Sequence, residues 1–397
     1  MEQSDATVPK IVLLQTQAEA AGAQEVSRIL GQGLQAKGYD VHYVYLFRRT
    51  AAFDLQSNAF FCALQRPNGV WTLLQMMAVL VRHLKALQPD VVLCFQHYGN
   101  LVGVLAGRLA GVGAIITNRN TAKSLVPRWV QLLDLMLGSV GLFNAIVITR
   151  TVEKEYRGYP SGYQSRIARI DHGFAPKITN LNRDAARRRL GLPVEAPLLG
   201  SVARLHPLKN LAAAIRLLSH DRTWHLALAG QGPERDRLAQ LAASLGVADR
   251  LHFMGELATD EVAAFLRSLD VFVFPSVAEV FPLAVVEAAQ AGVPVVSNNL
   301  DVVNEVLSID GEPCALFADA NDTASFAAAV RRLLDDTGLA ATLSARAAKL
   351  ADRYSLDVMV DAYVALIESE LRNRASRGDR GRAQALPSNA PSSAQET

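Results

Sequence analysis

Short apolar runs alternate with longer amphipathic patterns along the first half of the chain. The runs are short and continuously apolar, as expected of buried strands, and the windows between them repeat apolar residues at helical spacing. Such strands joined by crossover helices are typical of a parallel α/β sheet. The predicted strands are Ile11–Leu14, Val41–Leu46, Val91–Phe95, Ala114–Thr117 and Ala145–Thr149, and the predicted helices are Gln24–Lys37, Trp71–Leu87, Leu101–Leu109 and Val130–Leu137.

The alternation weakens between Ala175 and Pro197 and then resumes. This stretch is punctuated by prolines and holds one charged helical segment, Arg183–Leu190, so we interpret it as a linker. Beyond it, the predicted strands are Leu198–Ala203, His225–Ala229, Leu251–Met254, Val271–Phe274 and Val293–Ser297, and the predicted helices are Leu211–Leu218, Arg235–Leu245, Asp260–Leu269 and Leu283–Ala291. The chain is therefore predicted to fold as two doubly wound, Rossmann-like α/β domains facing each other across a cleft.

The same patterns give the expected domain limits. We place an N-terminal domain at residues 1–175, the linker at 176–196 and a C-terminal domain at 197–354. A helix over residues 355–373 is expected to pack back toward the N-terminal domain. Residues 374–397 are polar, rich in Ser, Ala, Pro and Gly, and without periodicity, which favours disorder.

Composition adds a charge asymmetry to an otherwise ordinary profile. The 397 residues are 50% hydrophobic and 20% charged, as in soluble globular proteins. Residues 1–170 carry 17 Lys and Arg against 10 Asp and Glu (+7), whereas the remainder carries 23 against 28 (−5). A basic half suits an anionic partner such as a lipid head group, a membrane surface or an acidic glycan, although uneven scatter of surface charge explains it equally well.

Cysteine usage and the chain start bear on the compartment. Cys62, Cys94 and Cys314 are far apart, which argues against a disulfide framework or zinc site and fits a reducing compartment. The polar, acidic start does not resemble a signal peptide. The apolar stretch Leu125–Ile148 contains several polar residues and is a poor membrane span. We therefore expect a cytoplasmic protein.

Candidate chemistry follows two strands of the second half. After the strand ending near Ala203 come Arg204 and Lys209, and a helix begins at about Asn210. Two cations beside a helix N-terminus suit a phosphate or pyrophosphate, although a solvated turn with two surface cations is an equally good reading. Gly230 and Gly232 follow the next strand and would allow close approach of a ligand or backbone, but they are not a dinucleotide fingerprint and also fit a plain tight turn.

Two glutamates lie in and after the proline-containing loop that follows the strand Val271–Phe274. Glu279 lies in the loop and can hold sugar hydroxyls, whereas Glu287 lies in the following helix and can hold a ribose diol. The free N–H groups at the helix start can bind phosphate. Alternatively, Glu279 is a surface loop residue and Glu287 a helix-dipole partner. Glu287 lies between apolar neighbours, however, and a buried Glu is rare unless it is paired.

With these motifs in order, the C-terminal half resembles the retaining glycosyltransferases of family 4, which have the GT-B fold. The resemblance is dense from Pro197 to Asp310. The matching segments are Arg204, Lys209-Asn210, Gly230-Gln231-Gly232-Pro233-Glu234, Phe253-Met254-Gly255, Pro275-Ser276, Glu279 with Glu287, Ala291-Gly292-Val293-Pro294 and Glu305.

The resemblance implies a role for each matched position. Arg204 and Lys209 would bind the donor diphosphate and stabilise its growing charge, Glu279 would contact the donor sugar and Glu287 the nucleotide ribose. The remaining expected donor contacts are Gly22, Gly230, Gly232, Met254 and the backbone of Phe281 and Leu283. This chain departs from the family in two places: Val280 replaces a frequent Gly, and Pro282 has no N–H to donate.

The N-terminal half resembles the family less closely. Its glycine-rich loop after the first strand is reduced to Gly22. Many members have a histidine after the fourth strand, where this chain has Thr117-Asn118-Arg119-Asn120-Thr121. Arg119, Asn120 or His97 is a candidate replacement. His172-Gly173 occupies the inter-domain turn and is interpreted as structural.

The implied activity is transfer of a sugar, with retention, from a nucleoside-diphosphate sugar to a glycan or lipid-linked acceptor in cell-surface polysaccharide or glycolipid synthesis. The expected setting is the cytoplasm, at the inner face of the membrane, without a nucleic-acid partner. No cofactor or essential divalent metal is expected, since no Asp-X-Asp tripeptide occurs. Alternatives are a nucleotide-sugar epimerase or a phosphorylase on the same fold, and an inactive sugar-binding subunit. A dehydrogenase would need a G-x-G-x-x-G after Ile11–Leu14, which is lacking.

Overall fold

The protein is described by a computed structural model that covers residues 8–18, 22–50, 56–119, 123, 126–279 and 281–384. Its chain forms two compact units. The N-terminal unit consists of Met1–Ile148, Glu155–Ile170 and Val360–Thr397, and the C-terminal unit of Thr149–Lys154 and Asp171–Met359. The chain therefore returns to the first unit at its end.

The N-terminal unit is built on a seven-stranded parallel sheet. Its strand order is β3-β2-β1-β4-β5-β6-β7. The central strands are buried along their whole length, which explains their continuous apolar runs. The strands are β1 (Lys10–Ala18), β2 (Asp40–Arg48), β3 (Ala59–Phe61), β4 (Val91–Cys94), β5 (Ala114–Arg119), β6 (Ala145–Ile148) and β7 (Ile167–Arg169).

Helices cover both faces of this sheet. Parallel crossovers are right-handed, so α2, α3 and α4, which all lead toward β6, cover one face, and α1, which leads the other way, covers the opposite face. The helices are α1 (Gly22–Ala36), α2 (Val70–Leu87), α3 (His97–Ala110), α4 (Arg128–Ser139), α6 (Ser161–Gln164) and, at the chain end, α16 (Leu356–Gln384), whereas the short helix α5 (Arg150–Glu153) belongs to the C-terminal unit. Helix α16 packs on α1, where Val360 fills the space beside Gly33 and Asp361 pairs with Lys37 at 2.6 Å.

The C-terminal unit repeats the plan with a six-stranded parallel sheet. Its strand order, β10-β9-β8-β11-β12-β15, is that of a doubly wound nucleotide-binding fold. The sheet strands are β8 (Leu198–Val202), β9 (His225–Ala229), β10 (Leu251–Gly255), β11 (Val271–Phe274), β12 (Val295–Asn298) and β15 (Leu316–Ala318), and a small antiparallel pair is formed by β13 (Ser308–Ile309) and β14 (Glu312–Pro313).

The helices of the C-terminal unit enclose a contiguous apolar core on this sheet. That core includes Leu199, Leu228, Val273 and Phe326, all essentially inaccessible to solvent. The helices are α7 (Arg183–Leu190), α8 (Leu211–Leu217), α9 (Arg235–Ser244), α10 (Thr259–Ser268), α11 (Leu283–Gln290), α12 (Asp301–Val306), α13 (Thr323–Asp335), α14 (Thr337–Ala348) and α15 (Leu350–Arg353).

Two doubly wound α/β domains are thus confirmed. Helix α16 continues to Gln384 and includes residues 374–384, for which the sequence predicted disorder, whereas residues 385–397 lie outside the described part. All three cysteines are buried and free. Among the described residues, α2 is the one helix that is long and apolar enough to cross a membrane. It is a different segment from Leu125–Ile148, the stretch considered as a possible span in the sequence analysis.

Candidate functional site

The carboxyl edge of the C-terminal sheet gathers most of the predicted site residues. The strand order reverses between β8 and β11, because the chain runs from β8 toward β10 on one side and from β11 toward β15 on the other. Ligands of doubly wound sheets bind outside the carboxyl ends of the strands at such a reversal. Arg204 and Lys209 follow β8, and Glu279 follows β11.

The loop that carries Arg204 is held by the glycine turn after β9. The Leu205 N–H donates to the Gln231 carbonyl at 2.9 Å, and the Glu234 N–H donates to the Leu205 carbonyl at 3.1 Å. A Cβ on Gly230 would lie 2.1 Å from the Ala203 carbonyl oxygen, and one on Gly232 would lie 2.2 Å from that of Leu205. The close approach predicted for both glycines is therefore made by the chain's own loop, and their contact with a ligand remains a prediction.

Met254 lies next to the same turn. It precedes Gly255, whose carbonyl accepts a hydrogen bond from the Gly230 N–H at 2.6 Å, and its side chain is partly exposed. Arg204 itself is exposed at the end of its loop. Backbone hydrogen bonds thus join the segments after β8 and β9 to the end of β10, and they fix the position of the Arg204 backbone.

Lys209 and Glu279 form an ion pair between the loops after β8 and β11. The Lys209 Nζ lies 2.5 Å from Glu279 Oε1, and the Ser276 hydroxyl lies 2.6 Å from the same oxygen. The Glu279 side chain is only 8% exposed and that of Lys209 27%. The Val277 N–H also donates to the Leu208 carbonyl at 2.9 Å, so backbone and side chains bind the two loops together.

The segment after Glu279 enters α11 through an inverse γ-turn. Pro282 has φ −84° and ψ 72°, and the Leu283 N–H donates to the Phe281 carbonyl at 3.0 Å. The Leu283 amide, predicted to bind phosphate, is therefore engaged within its own loop here. Val280, the expected departure from the family pattern, lies outside the described residues.

Glu287 lies in α11 and faces a lysine that the sequence did not single out. The Lys177 Nζ is 3.8 Å from Glu287 Oε1, and both side chains are more than four-fifths buried. A buried Glu is rare without a partner, and Lys177 is such a partner. No local pattern points to this lysine, because the two residues are far apart in the chain.

An aromatic cluster supports the loop at Phe281. The buried Phe281 ring packs edge-on against His172 and against Tyr354, each at 5.2 Å between ring centroids. Burial lowers the pKa of His172 to about 4, so the imidazole is neutral at pH 7. The neighbouring Gly173 leaves no room for a side chain, since a Cβ there would lie 2.1 Å from the Ser355 carbonyl oxygen. The cluster packs the turn at His172-Gly173 against the loop at Phe281, and the purely structural role of that turn stays a prediction.

A second polar group lies at the carboxyl edge of the N-terminal sheet. The Thr16 hydroxyl accepts from the Gly99 N–H at 2.9 Å, and Asn100 donates to the Asn118 carbonyl at 2.7 Å. Asn118 Oδ1 in turn accepts from the Tyr363 hydroxyl of α16 at 2.5 Å. Gly22, expected in a glycine loop here, is the first residue of α1, and residues 19–21 before it lie outside the described part.

Arg119 is buried in this group and is paired with Asp134, which also accepts from the Tyr163 hydroxyl at 2.6 Å. His97 and Lys123 line the same small cavity as Arg119. Within the described residues, Nε and Nη1 of Arg119 and Nδ1 of His97 have no hydrogen-bond partner. Both remain candidates for the predicted histidine replacement, whereas Asn120 lies outside the described residues.

Metal ligands are not grouped in the described part of the chain, where no set of three or more His, Cys, Asp or Glu side chains converges. The candidate site of the C-terminal unit instead holds two lysine–carboxylate pairs, Lys209 with Glu279 and Lys177 with Glu287, and Arg204 lies in the same loop as Lys209. Cations with hydrogen-bonding carboxylates suit a ligand that combines a diphosphate with hydroxyl groups.

Comparison with known proteins agrees with this geometry. Residues 182–350 match the family model of the glycosyl transferases group 1. The D-inositol 3-phosphate glycosyltransferase of Acidothermus cellulolyticus is 36% identical over 203 residues, which are 48% of this chain and 44% of that protein. The lipopolysaccharide core biosynthesis glycosyltransferase LpsE of Rhizobium meliloti is 32% identical over 185 residues, 46% of this chain and 53% of that protein. The match thus spans about half the length of these curated relatives.

Solved structures extend the likeness to the whole fold. Anabaena HepE, solved in complex with UDP-glucose, has a TM-score of 0.77 at 17% identity, covering 90% of this chain and 99% of that one. WaaG, a glycosyltransferase involved in lipopolysaccharide biosynthesis, has a TM-score of 0.69 at 15% identity, with 90% and 99% coverage. These similarities establish the GT-B fold class. The match to the glycosyl transferases group 1 family is confined to residues 182–350, the greater part of the C-terminal unit.

Proposed function

We propose that this chain is a retaining, family 4 type glycosyltransferase, transferring a hexose from a nucleoside-diphosphate sugar to a glycan or lipid-linked acceptor. The proposed setting is cell-surface polysaccharide or glycolipid synthesis. The observation that carries the proposal is the Lys209–Glu279 pair at 2.5 Å, formed by loops of two different strands at the reversal point of the C-terminal sheet. Relatives named for inositol phosphate and lipopolysaccharide core acceptors support the acceptor class.

The ion pair is compatible with donor binding. A lysine ammonium has three N–H donors, so Lys209 can hold Glu279 with one and a diphosphate oxygen with another. Glu279 accepts the Lys209 and Ser276 bonds at a single oxygen, Oε1, and its other oxygen can accept from a sugar hydroxyl. Arg204, with five donors in a planar fork, would bind the diphosphate from the same loop as Lys209.

The transfer step needs no strong protein base. The bond between the sugar's anomeric carbon and the diphosphate oxygen breaks, and the acceptor hydroxyl forms a new bond to that carbon on the same face. The leaving diphosphate oxygen takes the proton of the acceptor hydroxyl. Arg204 and Lys209 stabilise the charge that grows on the diphosphate, which is the main electrostatic contribution we assign to the protein.

Glu287 is assigned to the nucleotide ribose. Its carboxylate can accept both hydroxyls of the diol, and Lys177 at 3.8 Å offsets the cost of burying its charge. Gly230, Gly232, Met254 and the Phe281 and Leu283 backbone would line the rest of the donor site. Leu283 can reach phosphate only by giving up its bond to the Phe281 carbonyl.

The proposal is tested first by donor binding. Purified protein is screened against nucleoside diphosphates and nucleotide sugars by thermal shift, where a ligand at about 100 times its Kd adds about 2.7 kcal/mol to folded stability. The donor found is then supplied with acceptor glycans, and NMR of the product reads the anomeric configuration. Inverted product would refute retention. An epimerised sugar nucleotide formed without acceptor would indicate an epimerase, and binding without turnover an inactive subunit.

Arg204→Ala and Lys209→Ala test the assigned charges. Each should lower kcat by roughly 10²–10³, by analogy with the loss of an oxyanion donor. Lys349→Ala, at an exposed position of the same unit, is the matched control and should keep wild-type turnover. Near-wild-type kcat for Lys209→Ala would overturn the assignment.

Two further expectations belong to the proposal. We place the protein in the cytoplasm at the inner face of the membrane, which cell fractionation can check. We also propose that the reaction needs no bound metal or cofactor, because the cations assigned to the diphosphate are side chains. Full activity in excess EDTA is the expected result.

A further inference from the structure

The outer layer of the N-terminal unit exposes an unusual amount of apolar surface. Of the eighteen large apolar side chains exposed in the described residues, ten lie on α2, α3 and α4, and Val140 directly follows α4. The ten are Val70, Trp71, Leu73, Leu74, Leu105, Leu109, Trp129, Leu132, Leu133 and Met136. Extended exposed apolar surface on a soluble domain marks an interaction site.

These side chains lie on three neighbouring helices at one side of the sheet, and we call the outer surface of these helices the α2–α4 face. The three helices cover the same side of the sheet, with α2 and α4 each packed beside α3. At the junction of α3 and α4 the rings of Tyr98 and Trp129 lie 6.3 Å apart. The two tryptophans of this face are largely exposed, with 72% of Trp71 and 54% of Trp129 accessible to solvent.

The charge around the α2–α4 face is predominantly positive. Residues 64–144 contain seven Lys and Arg against two Asp and Glu, a net charge of +5. The only carboxylate on the three helices is Asp134, which points inward to Arg119 and Tyr163. Exposed cations flank the apolar residues at Arg66, Arg82, Lys85 and Arg128.

We propose that the α2–α4 face docks on the surface of an anionic lipid bilayer. Amphipathic helices that lie in a membrane interface combine large apolar side chains, tryptophan at head-group depth and flanking cations. Lys and Arg near the surface of an anionic leaflet each add attraction to its negative potential. The α2–α4 face has all three features, and it lies outside the candidate donor loops.

Two other occupants fit less well. A second copy of the chain, packed through the same face, would bring cations against cations with no exposed carboxylate on the three helices to pair them. Helix α2 could span a membrane by composition, but Met76, Leu80 and Leu84 are buried against the domain at helical spacing. A helix that packs on the domain along this stripe cannot at the same time be surrounded by lipid. We therefore place α2 at the surface of the bilayer and not across it.

Flotation of the full-length protein with vesicles tests the proposal. Vesicles of phosphatidylcholine with phosphatidylglycerol should bind the protein, and pure phosphatidylcholine vesicles should bind it at least tenfold more weakly, roughly the effect of one or two interfacial cations. Raising the salt concentration should weaken binding. The double variant Trp71→Glu/Trp129→Glu should lose at least roughly tenfold in vesicle affinity. Val358→Glu, at an exposed apolar position of α16 that is not part of the three helices, should bind like the wild type.

The outcomes separate the competing explanations. No binding to anionic vesicles, or equal binding by wild type and the double variant, overturns the proposal. A concentration-dependent dimer that Trp129→Glu dissociates, without vesicle binding, would assign the face to a second copy instead. Donor thermal shift is measured on the same variants. Retained donor binding shows that the fold is intact, and its absence in wild type would count against the proposed function alone.

Discussion

Gly230 allows a sharp test of how the site is positioned. It has φ +131°, a conformation that side-chain-bearing residues rarely adopt, and its missing Cβ would lie 2.1 Å from the Ala203 carbonyl oxygen. A carbon normally approaches a carbonyl oxygen to about 3.3 Å at the closest. Gly230→Ala therefore requires the loop before Arg204 to move by about 1 Å, because the opposing atom is backbone.

A displacement of about 1 Å can cost roughly 100-fold in rate at a catalytic site. We therefore expect Gly230→Ala to lower kcat/KM for the donor about 100-fold. The backbone strain should also cost about 1–3 kcal/mol of unfolding free energy. For a domain of this size that corresponds to a fall in Tm of about 2–4 °C per kcal/mol.

The matched control is Gly246→Ala. Gly246 also has a positive φ, +67°, but a Cβ there would meet no atom within 4 Å. This variant should lose about 1–2 kcal/mol from the backbone conformation and keep wild-type kcat/KM. Scanning fluorimetry gives Tm and a donor-turnover assay gives kcat/KM. If Gly230→Ala keeps full kcat/KM, or Gly246→Ala loses as much, the positioning argument is refuted.

Three further predictions follow from described contacts. Burial lowers the pKa of folded His172 to about 4, whereas the pKa in the unfolded chain is about 6.5. The unfolding free energy should therefore fall by about 3 kcal/mol as the pH drops from about 6.5 to about 4, because only the unfolded chain binds the proton there. Urea titrations at several pH values should show this fall in the wild type and not in His172→Gln. Tyr363→Phe leaves buried Asn118 Oδ1 without its 2.5 Å donor and should cost about 1–3 kcal/mol, so an unchanged urea midpoint would contradict it. Glu287→Gln should raise the donor KM about tenfold at nearly constant kcat, whereas a fall in kcat alone would argue against ribose binding.

The sequence predicted the central strands well because the sheets are parallel and covered on both faces. A strand buried on both sides is a continuous apolar run, as in Val91–Cys94 and Val271–Phe274. The edge strands β3 and β7 were missed. Each is three residues long and only partly buried, so neither carries an apolar run that differs from its surroundings. Helix α16 was predicted too short because its last turns have few apolar residues.

The candidate site was predicted by position more than by contact. Arg204, Lys209 and Glu279 could be selected because each follows a predicted strand, and strand ends of a parallel sheet meet at one edge. That Lys209 and Glu279 touch each other could not be predicted, because the contact depends on the conformation of two loops 70 residues apart. Lys177 was missed for the same reason, since a long-range ion pair has no local sequence pattern.

The ion pair between the loops after β8 and β11 has a consequence for protein engineering. Transplanting residues 275–283 from a homologue with another donor preference would leave Lys209 opposite a foreign partner. The two loops therefore form a single exchangeable module. Chimaeras that exchange residues 203–210 and 275–283 together should express as folded protein more often than chimaeras that exchange either loop alone.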